Sequence, residues 1–155
     1  MKNKLVIFST KDDFKPLSFT QDDKAFVFFL FKNTALVEVS ESLYEITAGS
    51  ILLRSPNIPL VIKPQGNDAL AYSKIIFNGK DASKLTTLSC IEPNIALQPL
   101  HVHFADSIIS KIEAEIKTKN FNWESIVLSH ILELLAKTHR LANHNFVETL
   151  PDHAQ

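Results

Sequence analysis

Two histidines separated by one residue, His101 and His103, come nearest to the spacing of a metal site. On a β-strand, alternate side chains point to the same side, so both imidazoles could bind one ion. No histidine precedes position 101, and neither Glu92 nor Asp106, the nearest carboxylates, has a spacing that suggests a third ligand. We therefore expect neither a functional metal nor another cofactor, and we interpret the pair as structural or solvent-exposed.

Lys74 is the charged residue whose surroundings suggest a binding site. The alternation across residues 70–77 predicts a strand with Tyr72, Lys74 and Ile76 on one side and Ser73, Ile75 and Phe77 on the other. If helices cover the side with Ile75 and Phe77, Lys74 faces the interior, where its charge needs a partner. Glu38, Glu45 or an anionic ligand would supply it. A strand turned the other way would leave Lys74 in solvent, and this alternative stays open.

Signals for nucleophilic or phosphate chemistry are missing from the sequence. There is no G-x-S-x-G motif, and the three glycines lie far apart, so no glycine-rich phosphate loop is expected. The single cysteine, Cys90, excludes an internal disulfide and fits a reducing compartment. No basic residue or helix start lies close to it in sequence to activate the thiol, so we expect a small buried hydrophobic side chain. These features predict a protein without catalytic activity.

Composition limits the chain to one domain and disfavours two classes of partner. Its 155 residues are 45% hydrophobic, which suffices for one core. Sixteen Lys and Arg against 17 Asp and Glu give a net charge of −1, so no overall positive field attracts nucleic acid or an anionic membrane. No stretch approaches 18 uncharged apolar residues. A soluble, cytoplasmic protein is expected.

Short strands and turns alternate through residues 25–100, which predicts a β-sandwich or β-barrel. The predicted strands are 25–32, 35–39, 42–46, 50–54, 60–63 and 70–77, with a weaker one at 94–97. Strand 25–32 is apolar on both faces, so we expect it to be covered on both sides. Residues 1–24 are mostly polar and are interpreted as an N-terminal arm with at most a short strand.

The hydrophobic period changes to that of a helix after residue 100. Residues 105–119 and 123–141 predict two amphipathic helices in a hairpin. The second helix carries Val127, Leu134 and Leu141 at intervals of seven, beside a stronger apolar stripe. Such a second line predicts a homodimer interface, although deeper packing within the chain would explain the same residues. Residues 143–155 have no period and are interpreted as a linker.

Three segments together resemble the N-terminal sensor domain of AraC-family transcription regulators. Residues 48–59, AGSILLRSPNIP, resemble the cupin signature with its glycine turn, hydrophobic pair and prolines. Residues 71–77, AYSKIIF, resemble the strand that follows in these sensor domains, and residues 104–141 resemble their two-helix dimerisation unit. Ser50 stands where an acidic residue is usual, and Leu60 stands where many cupins have histidine.

This resemblance implies a mainly β fold, a cupin or jelly-roll β-barrel over residues 25–100 followed by a helical dimerisation hairpin over 101–142. It also implies binding of a small-molecule effector, and contact with DNA only through a C-terminal domain that has no counterpart in this sequence. We therefore expect an excised sensor domain. The barrel residues predicted to line the effector site are Phe26, Phe28, Leu30, Ile62, Tyr72 and Lys74, which favour an apolar ligand with an acidic group.

Two other functions remain open from the sequence. A small cupin enzyme, such as an isomerase or a metal-dependent oxygenase, would need His and Glu ligands on the early strands. A domain that has lost its ligand would serve only as a dimeriser.

Overall fold

The computed structural model describes residues 6–99, 101–142 and 147–150, with side chains from residue 13 onward. These residues form nine strands and three helices. In chain order the elements are β1 (Val6–Asp13), β2 (Leu17–Phe19), β3 (Phe26–Phe31), β4 (Ala35–Val39), β5 (Ser42–Ile46), β6 (Ile51–Arg54), β7 (Leu60–Lys63), β8 (Tyr72–Asn78), α1 (Lys80–Ser89), β9 (Ala96–Leu97), α2 (His103–Thr118) and α3 (Trp123–Ala142).

The strands form two antiparallel sheets. The first sheet has the order β1-β8-β3-β6-β9, and the second has the order β2-β7-β4-β5. Among the described residues, no strand ladder joins the two sheets into a closed barrel. The predicted mainly β class with C-terminal helices is confirmed, whereas the architecture seen is two sheets and not a closed barrel.

Strand β3 separates two apolar cores, as expected for a strand that is apolar on both faces. One core lies between the first sheet and the helices, and the other lies between the two sheets. The helix-facing residues of β3 are Phe26, Phe28 and Leu30, and the sheet-facing residues are Val27, Phe29 and Phe31. All six are buried, so β3 holds both layers together.

The N-terminal region contributes more regular structure than the sequence predicts. Strand β1 pairs with β8 from Val6 to Asp13, and the short β2 pairs with β7. Pairing along a sheet edge uses backbone groups and does not require apolar side chains, so a polar segment can supply an edge strand. The prediction of an arm with at most a short strand is therefore wrong for β1.

Helix α1 is absent from the sequence prediction. It follows Gly79, whose φ of 117° favours glycine, and it ends at Cys90 in the left-handed conformation. Only Ala82, Leu85 and Ser89 of its ten residues are buried, so the apolar period is too weak to reveal it. Cys90 is exposed, which corrects the expectation of a buried thiol.

Helix α3 contacts both α1 and α2. This position explains why residues predicted for a dimer interface are buried within the chain. Val127 and Leu134 are each 0% exposed and belong to the core shared with the first sheet, while Leu141 is half-buried. A helix packed between two others buries a wide arc, which takes in both apolar lines. The prediction that Val127 and Leu134 face a second copy is therefore wrong.

The two histidines do not lie on a strand. His103 is the first residue of α2, His101 precedes it, and both are exposed. The alternation that would have brought their imidazoles together is thus missing. The described residues contain no group of three or more His, Cys, Asp and Glu side chains placed to hold a metal ion.

Part of the predicted linker packs against the strands. The Val147 N–H donates to the Ala96 carbonyl at 2.9 Å, on the edge of the first sheet. Two residues on, Thr149 forms a bridge with Tyr44, and the Leu150 N–H donates to the Leu43 carbonyl at 2.8 Å, on the edge of the second sheet. Residues 147–150 therefore cross between the two sheet edges; the rest of 143–155 lies outside the described residues.

None of the helices in the described ranges has the length and apolar character that crossing a bilayer requires.

Candidate functional site

The predicted ligand-binding residues lie in two different layers. Ile62 and Tyr72 face the core between the sheets, and Lys74 lies on the same side of β8 as Tyr72. Phe26, Phe28 and Leu30 instead pack against the helices. Their predicted place inside the β-structure is wrong, because a strand that is apolar on both faces gives no sign of which face meets the second sheet.

Two aromatic side chains that the prediction assigned to the other face surround Tyr72. The ring centres of Phe29 and Phe31 lie 5.9 and 6.0 Å from that of Tyr72. Cross-strand pairing explains the cluster, since Phe31 is opposite Tyr72 and Phe29 is opposite Lys74. The ammonium group of Lys74 thus lies at the margin of an aromatic cluster between the sheets.

Lys74 has a counter-charge inside the chain. Its Nζ donates a hydrogen bond to Oδ2 of Asp13, at the end of β1. Only 11% of the Lys74 side chain and 15% of the Asp13 side chain are exposed. Glu38 and Glu45, the partners predicted from the sequence, are exposed. The sequence thus indicated the need for a carboxylate but not its source.

The side chain of Tyr72 lies next to this ion pair. Its hydroxyl donates to the Lys15 carbonyl at 2.7 Å, and the Lys74 ammonium lies 6.0 Å from its ring centre. Burial and the nearby charge of Asp13 raise the pKa of Tyr72, so the hydroxyl stays a neutral donor. A buried cation, a hydroxyl and an apolar floor are the groups that bind a carboxylate with an apolar body.

The ion pair predicts a particular acid sensitivity. Burial raises the pKa of the Asp13 carboxyl, but the hydrogen bonds from Lys74 and the Lys15 backbone, with the charge of Lys74, lower it more, so it lies below 3.8. Its stabilising effect is therefore complete above pH 3.8 and is lost as the pH falls through the lower folded-state pKa. In urea titrations, the stability gap between the parent and Asp13→Asn should close below that pH. Parallel curves would contradict this.

Arg54 is a buried cation that the sequence analysis did not single out. It ends β6 with 0% exposure, and its guanidinium lies 4.9 Å from the ring centre of Phe19. It donates to backbone carbonyls of Thr20, Asp23, Ala25 and Ile58. Its donors are thus directed to the chain itself, which gives it a structural role. An arginine at the end of the apolar run ILLR was the available signal.

Cavities lined by described residues lie on the helical side of the molecule. One of them, about 590 Å³, follows α2 from Ser110 to Thr118. Two others, of about 350 and 300 Å³, flank Thr87 near the end of α1. The aromatic cluster around Tyr72 is packed in this state, so a ligand between the sheets would have to displace part of the structure.

Solved structures of ToxT from Vibrio cholerae resemble this chain in fold. ToxT of O395 bound to (E)-4-(8-methylnaphthalen-1-yl)but-3-enoic acid has a TM-score of 0.53 and 12% identity, covering 92% of this chain and 58% of its own. Another structure of ToxT from O395 has a TM-score of 0.51 and 12% identity, and the match covers 90% of this chain and 55% of that ToxT chain. ToxT of strain SCE256 bound to an unsaturated fatty acid has a TM-score of 0.50 and 9% identity, and the match covers 99% of this chain and 59% of that ToxT chain.

ToxT is an AraC-family regulator, and the match is to the fold of the ligand-binding N-terminal domain of such regulators. This chain therefore spans between 55% and 59% of the length of these ToxT chains. No protein-family model matches the sequence, and no curated protein matches it.

Proposed function

We propose that this chain is the effector-sensing domain of an AraC-type transcription regulator and that it binds an amphipathic carboxylate between its sheets, at Lys74. The observation that carries the proposal is a lysine buried beside an aromatic core and balanced by a single carboxylate hydrogen bond. A cation in such a place is costly unless an anion accompanies it. The site can therefore exchange one carboxylate for another.

The fold comparison supports the same ligand chemistry. The two ligand-bound ToxT structures hold an unsaturated fatty acid and a naphthyl butenoic acid. Both ligands combine one carboxylate with an apolar body, which matches Lys74 beside the rings of Phe29, Phe31 and Tyr72. We also propose that this domain controls DNA binding by a further domain and that the protein forms a homodimer. Sedimentation velocity measures whether the homodimer forms.

The binding test compares an acid with its neutral ester. We expect a monounsaturated fatty acid, used below its micelle concentration, to bind in isothermal titration calorimetry, and its methyl ester to bind at least tenfold more weakly. Lys74→Met should weaken binding of the acid by about 10- to 150-fold, as expected for loss of a charge-assisted hydrogen bond. Lys63→Met, at an exposed position of β7, is the matched control and should leave binding unchanged.

Equal affinity for acid and ester would contradict the proposal. So would an acid that binds Lys74→Met as tightly as it binds the parent protein.

A further inference from the structure

The position that a ligand carboxylate would take on Lys74 is filled by the chain itself. Asp13 Oδ2 accepts the hydrogen bond of the Lys74 ammonium, and both side chains are largely withdrawn from water. An incoming carboxylate meets a cation whose charge is already balanced. A second carboxylate beside it would leave an uncompensated negative charge in a largely buried place, so binding at Lys74 disfavours the contact with Asp13.

A β-bulge turns Asp13 toward Lys74. Thr10 is paired with Lys74, and Asp13 is paired with Tyr72, so three steps along β1 match two steps along β8. Side chains alternate between the faces of a strand, and one extra residue reverses the face for all that follow. Without the bulge, Asp12 would be opposite Tyr72, and Asp13 would lie on the other face.

The segment that carries Asp13 lies at an edge of the first sheet. Strand β1 is the outermost strand of its sheet. Beyond the ion pair, the Lys15 N–H donates to Oδ1 of Asp13 at 3.2 Å and the Lys15 carbonyl accepts from Tyr72. Phe14 is 66% exposed, so this arrangement leaves an aromatic ring in water. A second arrangement in which Phe14 is buried would offset part of the free energy needed to break the contact between Asp13 and Lys74.

We propose that Asp13 is an internal competitor for the effector: the ligand carboxylate replaces it on Lys74 and releases residues 13–16 from the edge of the site. This inference rests on the proposed function. The exchange conserves the ionic contact of Lys74, because one carboxylate leaves as another arrives. The closed and open states therefore differ little in electrostatic energy, which lets a ligand of moderate affinity shift the balance between them.

Removing the competitor should strengthen binding. Asp13→Asn keeps the size of the side chain and removes its charge, so we expect the monounsaturated fatty acid to bind this variant at least tenfold more tightly than the parent in calorimetry. The methyl ester, which cannot replace a carboxylate on Lys74, should bind both proteins alike. Asp22→Asn, at an exposed position of the β2–β3 turn, should bind the acid with parental affinity.

Hydrogen exchange of the parent protein tests the same inference without a variant. Ligands usually protect the segments that they touch, but here we expect faster exchange of the amides of residues 13–15 when the fatty acid is bound. Slower exchange there, or an Asp13→Asn variant that binds the acid no more tightly, would overturn the competition. In that case Lys74-dependent binding by the parent would still uphold the proposed function. Absence of acid binding by parent and variant alike would overturn both.

Discussion

Replacing Arg54 by methionine should destabilise the protein by ~3–5 kcal/mol, a large part of the 5–15 kcal/mol typical of a domain. The guanidinium is fully buried and donates four hydrogen bonds to backbone carbonyls. Methionine fills a similar volume but donates nothing. The Ala25 and Ile58 carbonyls therefore lose the guanidinium donor, and the Thr20 and Asp23 carbonyls keep only the backbone N–H groups of Asp23 and Asn57. The acceptors lie in the β2–β3 connection and in the turn before β7, so both should loosen.

Urea unfolding followed by circular dichroism measures this effect. Arg140→Met provides the matched control, because Arg140 is exposed near the end of α3, and its effect should stay within about 0.5 kcal/mol. Arg54→Lys should be intermediate, since an ammonium cannot satisfy acceptors arranged for a planar fork. A stability of Arg54→Met close to that of the parent would show that water replaces the guanidinium at these carbonyls.

Strands whose faces differ in polarity are well predicted from this sequence. The bounds of β4, β5 and β7 agree with the predicted 35–39, 42–46 and 60–63, because their apolar residues alternate or turn residues bracket them. Tyr72 and Lys74 also face the side that the alternation indicates. Periodicity predicts a face whenever one side is polar.

Where both sides are apolar, the sequence cannot decide between them. Strand β3 has no polar residue to mark solvent, so Phe26 and Phe28 were assigned to the wrong layer. Asp13 is a different case: its inward position depends on one extra residue in β1, which alternation alone cannot reveal. The ion pair between Asp13 and Lys74 therefore joins a residue whose face the alternation predicts to one whose face only the sheet register identifies.

Helix α3 presents the same ambiguity and gives the second large prediction. Leu134→Ala should cost ~2–5 kcal/mol, because the leucine is 0% exposed and its loss leaves a cavity between the helices and the first sheet. Leu141→Ala is the matched control on the same helix. Leu141 is only half-buried, so its truncation should cost about 1 kcal/mol or less.

A measurement of the oligomeric state distinguishes a core role of Leu134 from the dimer interface that the heptad spacing predicts. Sedimentation velocity of Leu134→Ala, at a concentration and temperature where it remains folded, should give the same association state as the parent. A variant that changes association state while keeping the parent's free energy of unfolding would place Leu134 at an interface between copies. Loss of stability with unchanged association is the expected result, because a side chain enclosed by its own chain has no surface left to offer a partner.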